Sequence, residues 1–274
     1  MKKDNLQILK NLVRESGKIL INFYKKNLHI NFKGPRDLVT EADITVENFL
    51  KEQLKNTFPH IPFIGEESGL KERLDTCFIA DPLDGTTNFA HQYPAFCISL
   101  ALLESGDIKF GVIYDPLRDE MFWAEKNKGA YLNGNKISVS KQKEIKKSLL
   151  ATGFPYSDLI MPRILNFFNH IIPHCQGIRR GGSAALDLSY TACGRFDGFF
   201  ELGLKPWDVA AGILIVREAG GIVTTPDGRD ASPFDGEYVA TNGLIHEQVL
   251  KIIKKSTNNF DIFNNYFRKV LNVN

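Results

Sequence analysis

The chain has 274 residues, with 34 lysines and arginines against 32 aspartates and glutamates, which leaves a formal net charge of +2 at pH 7. Such a near-neutral balance gives no strong nucleic-acid signal and argues against a protein that binds polyanions or membrane surfaces through net charge. Hydrophobic residues make up 43% and charged residues 24%, so bulk disorder is excluded and the length suits one large domain or two intimate ones.

The cysteines and the N-terminal segment indicate a cytoplasmic protein without a membrane anchor. Cys77, Cys97, Cys175 and Cys193 are scattered and form no CxxC pair, which fits a reducing compartment better than a disulfide framework. Charged residues interrupt the apolar N-terminus, so a signal peptide is not expected. The longest apolar stretch, residues 95–103, is too short to span a bilayer.

The first half of the chain predicts two helices followed by an antiparallel sheet. Leucines of the N-terminal segment recur at helical spacing, and a second helix is expected over about residues 43–55, with Thr40 or Asp43 as its N-cap. Short apolar strands then alternate with turn signals, among them residues 115–118 and the Asn133–Asn135 hairpin. These strands are expected at residues 77–80, 95–103, 108–114 and 120–124.

The second half changes to strands that alternate with helices, a pattern typical of an α/β layer. The strands are expected at residues 149–152, 177–180, 198–201, 221–225 and 238–241, and the helices at 163–172, 184–193, 209–219 and 245–255. Because no long linker separates the halves, we predict an α+β half over residues 1–146 packed closely against an α/β half over 147–274.

Three segments place acidic residues where the chain is expected to expose them. Glu66 and Glu67 follow one apolar strand, Asp81 and Asp84 follow the next, and Asp208 opens a helix. Carboxylate oxygens suit Mg²⁺, Mn²⁺ or Ca²⁺ and not zinc, and several of them in one cleft would repel one another without a bound cation. Each segment alone also has a structural explanation: helix capping for the aspartates and solvation for the glutamates.

Residues 81–89 are the most informative of these segments. Pro82 fixes the backbone, and Gly85 and Thr86 lead into a helical turn whose unpaired N–H groups suit a phosphate. Helix capping accounts for one acid and leaves Asp81 without a role. Two divalent cations can hold a phosphate ester, lower the pKa of a bound water and stabilise the leaving oxygen. The segment therefore indicates metal-assisted hydrolysis of a phosphate ester.

Together these segments resemble the motifs of the inositol monophosphatase family. Residues 81–89 match its acid-Pro-x-Asp-Gly-Thr-x-x-Phe signature, and residues 207–221 match its Trp-Asp-x-Ala-Ala/Gly-Gly segment with the Gly-Gly pair that follows. Residues 37–43 and 65–68 are similar to its Asp-Leu-Val-Thr-x-x-Asp and Gly-Glu-Glu motifs. The matches run from about residue 33 to 243 in the family's order.

The resemblance implies both a fold and an activity. The fold is the layered α-β-α-β-α sandwich of the inositol monophosphatase and fructose-1,6-bisphosphatase type. The activity is that of a lithium-sensitive, homodimeric phosphatase that uses two or three Mg²⁺ ions per site, or Mn²⁺ in their place. Hydrolysis of myo-inositol 1-phosphate is favoured, and fructose 1,6-bisphosphate, histidinol phosphate, NADP and 3′-phosphoadenosine 5′-phosphate are the alternative substrates.

The resemblance also implies roles for individual positions. The implied metal ligands are the side chains of Glu66, Asp81, Asp84 and Asp208 with the carbonyl of Leu83. The residues implied to orient and deprotonate the attacking water are Asp43 and Thr86, with Glu66 close by. The implied substrate contacts are Gly85, Thr86, Gly182, Ser183, Ala184 and Glu201.

Two segments keep two interpretations each. The family has a lysine near the phosphate where either Lys33 or Arg36 falls here, and a solvated surface charge is an equal alternative for each. The tail over residues 258–274 has four aromatic residues close to one helical face. It packs either against the core or against a second copy of the chain.

A regulatory binding protein on the same fold is the alternative of a different class, since fold does not fix function. The basic stretches at residues 141–147, 179–180 and 251–255 would then contact RNA or a partner, or they are solvated surface. Retention of the whole acid set favours catalysis. A nuclease would share the metal chemistry but needs a basic groove that the charge balance does not indicate.

Overall fold

The structure is a computed structural model that describes residues 3–24, 30–32, 38–70 and 72–258. Lys33, Arg36, Asp37 and the aromatic tail after Asn258 lie outside the described residues. The helices are α1 Lys3–Phe23, α2 Glu41–Thr57, α3 Thr86–Ala90, α4 Met161–Ile171, α5 Ala184–Ala192, α6 Pro206–Glu218 and α7 His246–Asn258. The strands are β1 Ile30–Phe32, β2 Leu38–Thr40, β3 Phe63–Gly65, β4 Cys77–Asp84, β5 Cys97–Glu104, β6 Asp107–Asp115, β7 Glu120–Glu125, β8 Gly129–Leu132, β9 Asn135–Ile137, β10 Leu149–Thr152, β11 Gly177–Arg179, β12 Gly198–Leu202, β13 Ile222–Thr224 and β14 Glu237–Thr241.

A seven-stranded sheet is formed by β3 to β9 in chain order, parallel between β3 and β4 and antiparallel elsewhere. This confirms the predicted meander and the hairpin at Asn133, whose φ is 49°. The strand predicted at residues 77–80 is too short, because β4 continues to Asp84. Its pairing with β5 shifts between Asp81 and Asp84, and Asp84 still pairs with Cys97. The proline and two acids hide this extension in the sequence.

A five-stranded sheet follows, in the order β11-β10-β12-β14-β13. β10 runs parallel to both of its neighbours, whereas β14 runs antiparallel to both of its own. Helices α4 and α5 occupy the connections between the parallel strands, which confirms the alternating pattern expected for this half.

Consecutive residues of one strand pack in different hydrophobic cores, because successive side chains of a strand point to opposite faces of the sheet. On β4, Phe78 packs with α1 and α2, while Ile79 belongs to a central core with α5 and α6. On β12, Phe199 joins that central core, while Phe200 packs with α4 and α7. The layers are therefore helices, seven-stranded sheet, helices, five-stranded sheet and helices, and the predicted α-β-α-β-α sandwich is confirmed.

The central core contains residues of both sheets. The predicted boundary after residue 146 falls between β9 and β10, where the chain passes from one sheet to the other. The division into two domains stays a prediction, as do the homodimer and the cytoplasmic location. Among the residues that the structure describes, none of the helices is both long enough and apolar enough to cross a membrane.

Candidate active site

A cleft of about 290 Å³ opens where the end of β4 meets the end of β12 and the beginnings of α5 and α6. All the site residues predicted from the sequence line this cleft, except Asp43. The lining residues among them are Glu66, Asp81, Leu83, Asp84, Gly85, Thr86, Gly182, Ser183, Ala184, Glu201 and Asp208. The fold therefore brings together segments that are more than a hundred residues apart in the chain.

Four acids of the cleft share one electrostatic field. Burial raises the pKa of Asp81 well above its usual range, and the charges of Glu66, Asp84 and Asp208 raise it further. The pKa of Asp208 is raised in the same way, by burial first and then by Asp84. Burial also raises the pKa of Asp84, to about 6. Without a cation, the cleft disfavours the ionised form of these carboxylates.

Asp84 is fixed by the beginning of α5. Its Oδ2 accepts hydrogen bonds from Ser183 Oγ at 2.6 Å and from the N–H of Ala185 at 2.7 Å. The sequence allowed Asp84 as a cap of the helix that follows it, but the N-cap of α3 is Gly85, with no side-chain hydrogen bond. Asp84 instead satisfies a helix that begins a hundred residues later, so its orientation depends on the tertiary fold.

Asp208 has both the structural and the candidate functional position. It lies in the first turn of α6, where its Oδ2 accepts the N–H of Lys205 at 2.7 Å, so the capping explanation is correct for this oxygen. The same side chain lines the cleft and lies in the field of Asp84 and Glu66. Capping therefore orients an acid that also faces the site.

Asp43 lies behind the cleft, in contact with Thr86. The Thr86 hydroxyl is 3.0 Å from Asp43 Oδ1 and 3.0 Å from the carbonyl oxygen of Leu83. Asp43 Oδ2 accepts from the N–H and the hydroxyl of Thr40, which is the N-cap of α2. Burial raises the pKa of Asp43 to about 6. The predicted pair of Asp43 and Thr86 is thus adjacent.

Gly85 occupies a position that only glycine fits. Its φ is 100°, and a Cβ there would lie 2.8 Å from the carbonyl oxygen of Ala95. Asn88, in the same motif, donates from Nδ2 to Ala95 O at 2.7 Å and to Gly181 O at 2.9 Å. Asn88 was not predicted as a site residue, although it ties α3 to the segments before β5 and before α5.

Asp187 is a second residue that the sequence prediction missed. It is only 3% exposed, on α5, and burial and the charge of Asp84 raise its pKa while Arg180 lowers it. A charged residue among the small and apolar residues of this helix is a signal that could have identified it. The pKa of Glu201 is raised by burial, then by Asp187 and Asp84, so the acidic field extends to the substrate wall.

The wall of the cleft also carries cations and aromatic rings. Arg180, which the sequence placed in a basic surface stretch, and Lys205 both line the cleft, and so do Phe154 and Tyr156. Of these residues, Arg180 acts on Glu201 and lowers its pKa. They supply the kind of platform that a nucleotide substrate would need.

The acid set offers oxygen donors to a divalent cation. Among the described residues, no three side chains of histidine, cysteine, aspartate or glutamate are arranged so that they could hold a metal ion by themselves. Within the same ranges, Asp81, Asp84 and Asp208 form no ion pair with lysine or arginine, and two of them raise the pKa of Asp81. Oxygen donors with uncompensated negative charge fit a hard divalent cation, which would offset their repulsion.

Known proteins match nearly the whole chain. An inositol-1-monophosphatase from Synechocystis sp. is 45% identical over 252 residues, 89% of this chain and 86% of that protein. A Nus factor SuhB from Xylella fastidiosa is 40% identical over 238 residues, 86% of each. The crystal structure of the extragenic suppressor protein suhB from Bartonella henselae has a TM-score of 0.87 and 38% identity, and covers 92% of this chain and 99% of that one.

A solved inositol monophosphatase/NADP phosphatase, which contains Mg²⁺ and phosphate, has a TM-score of 0.82 at 24% identity, a level that shows the fold alone. It covers 91% of this chain and 95% of its own. The family model for inositol monophosphatases matches residues 2–258. The chain therefore belongs to the inositol monophosphatase family.

Proposed function

We propose that this chain is a Mg²⁺-dependent phosphatase that hydrolyses the phosphate monoester of a small polyol, with myo-inositol 1-phosphate as the first substrate. The observation that carries the proposal is one cleft in which four mutually repelling acids lie next to the Asp43–Thr86 pair. Family membership and the name of the Synechocystis relative support it.

The metal chemistry belongs to the acids of the cleft. Glu66, Asp81, Asp84 and Asp208, with the carbonyl of Leu83, would hold two or three Mg²⁺ ions. When bound, these ions supply an acidified water and positive charge near the leaving oxygen. The chain's contribution is to keep the donors oriented: α5 holds Asp84 and the Lys205 N–H holds Asp208.

Proton transfer belongs to Asp43 and Thr86. The Thr86 hydroxyl lies between the Asp43 carboxylate and the Leu83 carbonyl, so it can accept from water as its own proton points to Asp43. With a pKa of about 6, Asp43 is mostly ionised at pH 7.5, and this pKa is close enough to the working pH for the carboxylate to act as a base. The pair therefore orients the attacking water and receives its proton.

Other residues of the cleft are proposed to recognise the substrate. Gly85 and Thr86 line the cleft together with the acids, and their backbone N–H groups are proposed to bind phosphate. Glu201 is proposed to accept hydrogen bonds from substrate hydroxyls, as a buried carboxylate on the cleft wall can do. Ser183 already donates to Asp84, so its side chain serves the acid set and the substrate together.

The choice of substrate is open to a direct test. Phe154, Tyr156 and Arg180 on the cleft wall keep NADP and 3′-phosphoadenosine 5′-phosphate as alternatives, beside fructose 1,6-bisphosphate and histidinol phosphate. Phosphate release from each of these esters and from myo-inositol 1-phosphate would be measured with Mg²⁺, with EDTA and with Li⁺. The proposal predicts highest kcat/KM on inositol 1-phosphate and none in EDTA. Equal or higher activity on a nucleotide would reject inositol 1-phosphate as the preferred substrate.

The name Nus factor SuhB, carried by the Xylella relative and by others, favours as a second candidate the regulatory binding protein on this fold. A strain that lacks the gene separates the two roles. Restored growth with the inactive Asp84→Asn variant would show a non-catalytic role, whereas restoration by the wild type alone would show that hydrolysis is the essential activity.

A further inference from the structure

A buried acid of α2 accepts hydrogen bonds from the loop that carries Glu66. Glu66 directly follows β3, and its N–H donates to Ala80 O at 3.3 Å. The carboxylate of Glu47, which is only 4% exposed, accepts the N–H of Glu67 at 2.7 Å through Oε2 and the hydroxyl of Ser68 through Oε1. Both oxygens of Glu47 are therefore bonded to the two residues after Glu66.

The close approach of Glu47 also explains the glycine at position 65. A Cβ on Gly65 would collide with the Glu47 carboxylate. The end of β3 thus lies directly on this carboxylate, and the space for a side chain is occupied by it. Neither the sequence motifs nor the proposed function assigns a role to Glu47.

Helix α2 connects this loop to the other side of the cleft. Asp43 and Glu47 are four residues apart, so they lie on the same face of the helix. Asp43 contacts Thr86, the first residue of α3, and Glu47 contacts the loop after β3. One rigid helix therefore sets the distance between the water-activating pair and Glu66.

We propose that Glu47 is a positioning residue that holds Glu66 where it shares a divalent cation with Asp81 and Asp208. This inference rests on the proposed function, because it assigns Glu66 to the metal. Glu66 lines the same cleft as Asp81 and Asp208. Partners that orient metal ligands by hydrogen bonds typically contribute about tenfold or more to metal affinity.

The test is calorimetric titration of metal-free protein with Mg²⁺, together with hydrogen exchange of the amides of residues 65–69 before metal is added. Glu47→Ala should weaken Mg²⁺ binding about tenfold and speed this exchange. Glu47→Gln should stay within about threefold of the wild type, because its amide oxygen can accept from Glu67 and its NH₂ can donate to Ser68. Glu52→Ala, an exposed acid of the same helix, is the matched control and should change neither value.

Several results would overturn the inference. Folded Glu47→Ala protein that binds Mg²⁺ as tightly as the wild type removes the positioning role. Equal damage from Glu47→Gln and Glu47→Ala shows that charge acts, and not hydrogen bonding. If Glu47→Ala does not fold, Ser68→Ala decides: we expect about threefold weaker binding, and an unchanged value contradicts the inference.

The proposed function can fail independently of this inference. Wild-type protein that binds Mg²⁺ but releases no phosphate from any ester would reject the phosphatase. In that case, Mg²⁺ affinity and hydrogen exchange of the variants would still decide whether Glu47 positions Glu66. Active wild-type protein with no difference between Glu47→Ala and Glu52→Ala would reject Glu47 alone.

Discussion

Two four-residue segments of this chain share their first three residues and differ in chemistry. Residues 81–84 read Asp-Pro-Leu-Asp and form the end of β4, and residues 115–118 read Asp-Pro-Leu-Arg and begin at the last residue of β6. In each segment the first aspartate is buried, and its Oδ1 accepts the N–H of the leucine two residues later at 2.9 Å. The local backbone explanation of the two aspartates is therefore the same.

The fourth residue distinguishes the two segments. Arg118 pairs with Asp115 at 2.7 Å, so that buried carboxylate is neutralised within the chain. Asp84 instead adds a second negative charge beside Asp81 and raises its pKa. Removal of the internal cation from a buried acid destabilises the fold, whereas buried acids that repel one another are suited to bind an external cation.

The largest effect on catalysis is expected from a substitution in residues 81–84. Asp84→Asn should lower kcat with Mg²⁺ about a thousandfold, because a lost metal ligand costs several kcal/mol of transition-state stabilisation. Circular dichroism should show an intact fold. Asp115→Asn is the matched control and should lower stability while kcat stays close to the wild type. Near wild-type phosphate release by folded Asp84→Asn would reject its assignment as a ligand.

A smaller loss is expected at the proton-transfer pair. Thr86→Ala should lower kcat about a hundredfold, as removal of a positioned proton-transfer group typically does. Thr86→Ser keeps the hydroxyl and should recover most of the rate. Steady-state kinetics of the two variants make the measurement. Equal rates for the two would show that the Thr86 hydroxyl does not act in the reaction.

A substitution in residues 115–118 should instead lower stability and leave catalysis unchanged. Arg118→Ala leaves Asp115 buried without its cation, and we expect a loss of about 2 kcal/mol, below the full value for a buried pair because the Arg118 side chain is 44% exposed. Urea unfolding of metal-free protein measures the change. We expect kcat to be unchanged. A lower kcat without a loss of stability would contradict the assignment of residues 115–118 to stability and of residues 81–84 to metal binding.

The smallest effect concerns pH. Asp43 and Asp84 have a pKa of about 6 in the fold against 3.8 ordinarily, so the native state binds more protons than the unfolded chain between those values. Their contribution to stability is present below pH 4 and is lost as pH rises through 6. Because Mg²⁺ requires ionised carboxylates, its affinity should be about tenfold weaker at pH 5 than at pH 7.5.

The measurement is the rise in melting temperature with Mg²⁺ at the two pH values. Arg118→Ala protein should show the same dependence as the wild type, because it retains the acid set. A rise that is equal at pH 5 and pH 7.5 would contradict the pKa values of the cleft.

Most of the fold follows from patterns that are local in sequence. Alternating hydrophobicity predicts the meander, and the exchange of strands with helices predicts the second sheet. The helical turn that follows Gly85 was likewise predicted from the sequence. The end of β4 was missed because Pro82 and two acids interrupt its pattern, while pairing with β5 continues to Asp84.

The site required the tertiary fold. The contact of Asp84 with Ala185 and the contact of Glu47 with the loop after β3 join residues far apart in the chain. Burial is also a property of packing, so a sequence cannot separate Asp187, inside the field of the cleft, from a solvated helical acid. The resemblance supplied the roles, and the fold supplies the distances.

The most direct test of the central claim is a calorimetric titration of metal-free protein with Mg²⁺ at pH 7.5, in two buffers of different ionisation enthalpy. We predict at least two Mg²⁺ ions per chain, with release of protons from the buried carboxylates, and loss of at least one ion in Asp84→Asn. Absence of Mg²⁺ binding by the wild type, or an identical isotherm for Asp84→Asn, would contradict the account.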